Sequence, residues 1–279
     1  MKTIPRLSLT TFRLRALIFA SALTFGVLAS SWAITNGQPD GAAHPYVALV
    51  TEVANLPTTS PPACCPPPVC SGVAVSPTVV ITTAGCTATN TPGDPVFVTF
   101  DPDGVFSTNP TFATGRYYPD PLFCVGCGGG FGSGYVTHTL AVVVLDQPIS
   151  LTRYAQLPTL GLADTLAVGT KMTLVGYGFQ AGLKKIRAGG FWTREFTIAD
   201  LLGTNESISD DYIKISANQS QGKGGVCFSD GGAPVLLGNS DTVVATGSFT
   251  ANNNCTGVSW AERLDTAEAM SFIGQFLSP

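Results

Sequence analysis

The chain has 279 residues, 44% of them hydrophobic and only 11% charged, with 14 Lys and Arg against 18 Asp and Glu and a formal net charge of −4. That length and apolar content suffice for one large core or two small ones. So few cations exclude the basic stripe that a phosphate backbone demands, and with it nucleic acid as a partner.

At the N-terminus, Lys2, Arg6, Arg13 and Arg15 precede an apolar run from Ala16 to Ala29, and small residues stand at Ser31 and Ala33. This order predicts a secretory signal peptide over residues 1–33, cleaved after Ala33. A membrane anchor is the alternative, but the run is shorter than the about 20 residues that span a bilayer. The predicted mature chain, Ile34–Pro279, is secreted and leaves the membrane once the leader is cut.

Short β-branched or alternating runs follow: 46–53, 71–82, 96–100, 140–145, 172–175, 212–216, 243–249 and 258–263. Each is bounded by Gly, Pro, Asn or Asp, the punctuation of strands. Between them, LPTTSPPACCPPP (56–68) and CVGCGGGFGSG (124–134) hold too much Pro and Gly for regular strands and read as surface loops. Many strands with almost no helical periodicity predict an all-β barrel or sandwich. The end departs from that pattern. After Asp265-Thr266, a helix cap, Ala269, Met270, Ile273, Phe276 and Leu277 recur at helical spacing, predicting a short C-terminal helix.

Eight cysteines, Cys64, Cys65, Cys70, Cys86, Cys124, Cys127, Cys227 and Cys255, all fall in the predicted mature chain. An even count in an exported protein points to disulfides. A metal site built from Cys64-Cys65 and the Cys124-x-x-Cys127 pair is the alternative, disfavoured because thiolates rarely stay reduced outside the cell. The expectation is no metal and no cofactor. Sequons at Asn205, Asn218 and Asn254 would carry glycans only where the source has that machinery.

Four motifs, in order, resemble the chymotrypsin/trypsin-like serine peptidases. ITNGQPDGAAHPYVAL (34–49) is similar to the family's freed Ile-x-x-Gly start, and CSGVAVSPTVVITTAGC (70–86) to its Cys-x-Gly…Thr-Ala-x-His-Cys block. HTLAVVVLDQPI (138–149) is similar to His-Asp-Leu-Ala-Val, and CFSDGGAP (227–234) to Cys-x-Gly-Asp-Ser-Gly-Gly-Pro. The resemblance spans the mature chain and implies two packed antiparallel β-barrels, the first over about 34–150 and the second over about 151–264, with the helix over about 265–277.

The resemblance also assigns residues. The general base, its orienting carboxylate and the nucleophile would stand at Gly85, Thr139 and Gly231, none of which can do that chemistry. Sliding the last motif to make Ser229 the nucleophile loses both the aspartate before it and the proline after it. Ser229 falls at an oxyanion-hole position, where a Cβ disfavours positive φ. Gly225 falls at the base of the specificity pocket, neutral if open. Ile34, as a freed amine, would pair with Asp230, and disulfides are implied for Cys70 with Cys86 and Cys227 with Cys255.

Two histidines, His44 and His138, are the available substitute bases, and neither stands where the family places its base. The expected function is therefore that of a non-proteolytic, monomeric homologue that binds a peptide or protein ligand, such as a protease inhibitor or a substrate-like segment. A weakly active serine-type endopeptidase is the alternative.

Overall fold

The computed structural model describes residues 34–52, 69–104, 107, 110–125, 136–179, 181–183, 186–188, 193–204 and 211–277. The predicted leader (1–33), most of the two Pro- and Gly-rich segments and the Asn205 sequon lie outside these.

Six strands close the first barrel: β2 (Val47–Thr51), β3 (Val69–Ala74), β4 (Val79–Thr83), β5 (Asp94–Thr99), β6 (Ala113–Pro119) and β9 (Leu140–Leu145). Around the ring they run β2-β3-β4-β9-β6-β5, every pair antiparallel. Every residue of β2, β3 and β4 is buried. Such β-branched, apolar segments fit a pleated surface covered on both faces. The predicted run 71–82 is two strands, because Ser76-Pro77 turns the chain and the Ser76 hydroxyl accepts from the Thr78 and Val79 amides.

The second barrel uses β10 (Lys171–Gly176), β13 (Glu195–Thr204), β14 (Tyr212–Ala217), β15 (Pro234–Leu237), β16 (Val243–Thr250) and β17 (Gly257–Arg263), closed by pairing of β13 with β14. Its apolar core includes Ile34, Met172, Leu174, Ile213, Ile215 and Val244. The N-terminal arm crosses to this barrel: β1 (Gln38–Pro39) pairs with β13 at Phe196 and Glu195, although residues from 34 onward were expected to open the first barrel. Two short hairpins complete the β-structure, β7 (Cys124–Val125) with β8 (Val136–Thr137) and β11 (Ala181–Leu183) with β12 (Ile186–Ala188). Cys124 and Val125, expected to be loop, thus begin a two-residue ladder.

Arg194, just before β13, ties these parts together. Its guanidinium donates to buried Asp40 of the arm at 3.0 Å and to the carbonyls of Val47 (3.1 Å) and Phe100 (3.0 Å) in the first barrel. A buried pair with its remaining donors satisfied is geometrically specific, which fixes the arm against both barrels.

The chain ends in α1 (Ala267–Leu277). Thr266 caps it, its hydroxyl accepting from the Ala269 amide at 3.1 Å. Ala269, Phe272 and Ile273 pack into the first barrel's core, whereas Leu277 is exposed. Thr266→Ala is expected to lower stability by about 1 kcal/mol in denaturant melts, the ordinary value of such a cap.

Candidate functional site

Where the barrels meet, a cleft of about 610 Å³ opens. The first barrel supplies Val69 and Cys70 of β3 and the Thr83-Ala84-Gly85 end of β4. From the second come the turn containing Val226–Ser229 and Gly231, the end of β16 from Ser248, and Asn252-Asn253 beyond it. No charged side chain is among the described residues that line the cleft.

The structure brings together the three positions to which the resemblance assigns a triad. Gly85 and Gly231 both line the cleft, and Thr139, just before β9, accepts the Ala84 amide on its carbonyl at 2.7 Å. At Gly85 a β-carbon would meet nothing within 4 Å, but φ is +86°, a conformation L side chains rarely adopt. The Gly85 amide donates to Asn90 Oδ1 at 2.7 Å. At Gly231 the space is taken: a β-carbon would lie 2.6 Å from the Thr83 methyl. Thr83 is itself held, its hydroxyl donating to the Thr139 carbonyl at 2.8 Å.

Behind Thr139 stands a carboxylate that sequence reasoning missed. Glu262 of β17 is buried, and its Oε2 accepts from the Thr139 amide and lies 2.5 Å from the Thr139 hydroxyl. The Ser248 hydroxyl is 2.9 Å from the same Thr139 oxygen, and the Tyr212 hydroxyl 3.3 Å from Oε2. Burial pushes the Glu262 carboxyl up to about 8, against the pull of the Thr139 bonds and with the help of neighbouring Asp120 and Asp211. The one available signal was a single acid inside the otherwise apolar strand VSWAE. Thr83 and Ser248 gave none, being ordinary strand residues.

In the turn after Cys227, Ser229 adopts φ 70°, so serine occupies the left-handed conformation that its side chain was expected to disfavour. Its carbonyl is 3.3 Å from the Ser71 hydroxyl, and the Gly231 carbonyl accepts the Ser71 amide at 2.9 Å. Gly232 continues at φ 82°. The amides of Ser229 and Gly231 have no acceptor among the described residues, leaving two N–H groups at the cleft.

Asp230, between them, points the other way. It is fully buried and accepts from the Gly178 amide at 2.8 Å and the Cys227 amide at 3.0 Å. Burial pushes its carboxyl up to about 8 despite those bonds. Glu195 of β13 is a second buried acid nearby, with no partner on Oε2; burial, reinforced by the charge of Asp230, pushes it up to about 10. Among the described residues no side-chain cation pairs with either acid. Ile34 is fully buried at φ 57°, and its neighbour Thr35 exchanges hydrogen bonds with Gly225.

These acids set the sign of a pH dependence. The native chain holds protons on Asp230, Glu262 and Glu195 that the unfolded chain releases near pH 4. Their contribution to stability is complete below that pH and is lost as pH rises through 8 and towards 10. For the full chain, the melting temperature is expected to fall between pH 5 and pH 8, and Glu195→Gln should flatten the slope. Thermal melts at fixed ionic strength check both.

Other expected site residues fall elsewhere. Gly225 is packed against Ser259 and Ala217, which a β-carbon would meet at 2.5 and 2.6 Å, and it is not among the residues lining the cleft. Neither histidine lines the cleft. His44 Nδ1 sits 2.5 Å from Asp40 Oδ1, and His138 Nε2 is 3.7 Å from Glu268. Cys70 is bonded to Cys86, and Cys227 to Cys255. Cys124 is also in a disulfide, while Cys64, Cys65 and Cys127 lie outside the described residues. Among the described residues no group of three or more potential ligands is placed to hold a metal.

Two closed six-stranded antiparallel barrels, a short C-terminal helix and a cleft between the barrels define the trypsin-like fold. The chain belongs to the trypsin family, whose model matches residues 53–261. Among solved structures it is similar to HL collagenase (15% identity, 87% of this chain and 97% of that one, TM-score 0.63). Neuropsin, a serine protease of mouse brain, is equally similar (15%, 88% and 100%, 0.63), and human heparin binding protein follows (17%, 87% and 96%, 0.58). No curated protein sequence matches the chain.

Proposed function

We propose that this protein is a secreted, monomeric, non-proteolytic member of its family, whose cleft holds a peptide or a protein segment, such as an inhibitor loop, without cutting it. The observation that carries this reading is the contact at Gly231. Where a nucleophile's β-carbon would stand, the Thr83 methyl already sits 2.6 Å away, and Thr83 is bonded to Thr139. The nucleophile's position is thus built over as well as substituted. Glycine, threonine and glycine cannot take a proton, fix an imidazole tautomer or attack a carbonyl. Loss of a serine or histidine alone has cost another protease about a millionfold in turnover.

Secretion is favoured by the leader and by the disulfides, bonds that persist in oxidising compartments. The net charge of −4 offers nothing to a polyanion, so the heparin-binding neighbour lends its fold and no ligand. Nor does the reading require a metal or a cofactor.

Incubating Ile34–Pro279 with an unstructured protein and with a fluorophosphonate is expected to yield neither cleavage nor label. The alternative, a weak endopeptidase, draws support from the turn at Ser229–Gly231, whose two unpartnered amides could still hold an oxyanion. Hydrolysis that survives repurification and disappears in a Ser229→Ala or His138→Ala variant would establish it.

A further inference from the structure

We propose that Glu262 is a proton-operated switch behind the cleft: a proton on its carboxyl decides whether Ser248 keeps a free hydrogen, and how firmly Thr83 is held over Gly231. That the switch governs the binding of a ligand rests on the peptide-binding reading above; its action on the cleft does not.

The first observation is a row of hydroxyls running from the buried acid to the cleft. Glu262 Oε2 lies 2.5 Å from Thr139 Oγ1, which lies 2.9 Å from Ser248 Oγ, and Ser248 lines the cleft. Each hydroxyl has one hydrogen, so the row points one way or the other. With Glu262 ionised, Oε2 only accepts: Thr139 donates to it, Ser248 donates to Thr139, and the Ser248 hydrogen is spent. With a proton on Oε2 the row reverses. Glu262 then donates to Thr139 and Thr139 to Ser248, whose own hydrogen is left free. A proton gained behind Thr139 becomes a donor gained at the cleft.

The second observation is that Thr139 also joins Glu262 to Thr83 through the main chain. Its amide donates to Oε2, while its carbonyl accepts from the Ala84 amide at 2.7 Å and the Thr83 hydroxyl at 2.8 Å. Hydrogen bonds to an ionised acceptor are shorter and roughly twice as strong as neutral ones. Ionisation therefore draws Thr139 towards Glu262 and loosens its hold on Thr83, whose methyl lies 2.6 Å from where a β-carbon of Gly231 would stand.

The third is a separate way in for the proton. Glu262 borders a cavity of about 10 Å³, room for about one water molecule, that shares no residue with the cleft. Asp120 after β6, His138 before β9, Asp211 before β14 and Glu268 of α1 face it there. His138 and Glu268 are partly exposed, which opens the cavity to solvent protons. The Tyr212 hydroxyl of β14 is 3.3 Å from Oε2, and Arg263, next on β17, is bonded to Asp164 and Asp265. Four carboxyl groups around one imidazole favour a protonated acid. Burial pushes Glu262 up to about 8 against the pull of the Thr139 bonds, with Asp120 and Asp211 adding to the rise.

Methyl NMR of Ile34–Pro279 labelled at threonine, from pH 6 to pH 10 and with no ligand, tests this. The Thr83 and Thr139 methyls and the Glu262 carboxyl carbon are expected to shift together, with one midpoint near pH 8. Glu262→Gln, which has no proton to lose, should abolish both methyl shifts. Asp120→Asn removes a neighbouring negative charge, so it should keep the shifts and lower their midpoint, a readout that does not depend on how well the Gln variant folds. A Thr83 methyl that stays still while Glu262 titrates would overturn the switch and leave the peptide-binding reading standing. So would a Thr83 shift that survives Glu262→Gln and disappears in Asp230→Asn.

Discussion

Installing histidine, aspartate and serine at positions 85, 139 and 231 is expected to give an unstable protein that fluorophosphonate does not label. Each substitution meets a specific obstacle. Gly231→Ser puts a β-carbon 2.6 Å from the Thr83 methyl, and Thr83, stiff at χ1 and bonded to Thr139, cannot swing aside. Overpacking of this kind costs about 1–3 kcal/mol. Gly85→His forces a side chain onto φ +86°, at about 1–2 kcal/mol.

Thr139→Asp is the worst of the three. The hydroxyl it replaces lies 2.5 Å from Glu262 Oε2, so two carboxyl groups would face each other in a buried site where both cannot ionise. They would share a proton and a single negative charge, so the new aspartate would compete with Glu262 for the charge an imidazole partner needs. The sum is a loss of about 4 kcal/mol or more, or at least about 8 °C in melting temperature. Adding Thr83→Ala and Glu262→Gln removes the steric and the electrostatic obstacle, and labelling is expected first in that fivefold variant. Strong labelling of the threefold variant would show that Thr83 and Glu262 do not bar the site.

A chain that begins at Ile34 is expected to be markedly more stable at pH 7 than the same chain carrying one extra N-terminal alanine. Asp230 and Glu195 are buried without a side-chain cation among the described residues, and the arm is already seated, with Ile34 buried and Thr35 bonded to Gly225. An α-ammonium at Ile34 is the counter-ion this arrangement lacks, and Asp230 is the carboxylate the resemblance assigns to it. Breaking a buried pair costs about 3–5 kcal/mol, which corresponds to about 6–20 °C for a domain of this size. The sign with pH follows: pairing pulls the Asp230 carboxyl down from about 8, so the chain starting at Ile34 should lose less stability between pH 5 and pH 8. Asp230→Asn should erase the difference between the two chains. Equal melting of the two parent chains would remove Ile34 from the role.

Much of this was legible in the residues. The strand runs around Val47, Leu140, Val243 and Val258 announced themselves because barrel interiors need β-branched, apolar segments, and Thr266 announced the helix it caps. β13 was not legible. It puts Glu195, Thr197, Ala199 and Leu201 on the buried face and Phe196 and Ile198 on the half-exposed one, so hydropathy reads it backwards. β6 was hidden differently, by Gly115 and Pro119, which ordinarily interrupt strands but here take buried positions in one.

At the site, motif spacing assigned Gly85, Thr139, Gly231 and Ser229 through the resemblance, and Gly85, Ser229 and Gly231 line the cleft. It could not reveal Thr83 against Gly231 or Glu262 behind Thr139, contacts between residues 148 and 123 apart in sequence that exist once the barrels pack. Nor could it foresee that serine would hold φ 70° at position 229, where the Ser71 hydroxyl of the other barrel donates to its carbonyl at 3.3 Å.

The most direct measurement mixes Ile34–Pro279 with a stoichiometric amount of a peptide it binds and follows the intact masses of both through many hours at pH 7. The expected result is peptide recovered whole, saturably bound, with the protein mass unchanged. Peptide fragments, or a protein heavier by an acyl group, would contradict a cleft that binds without cutting.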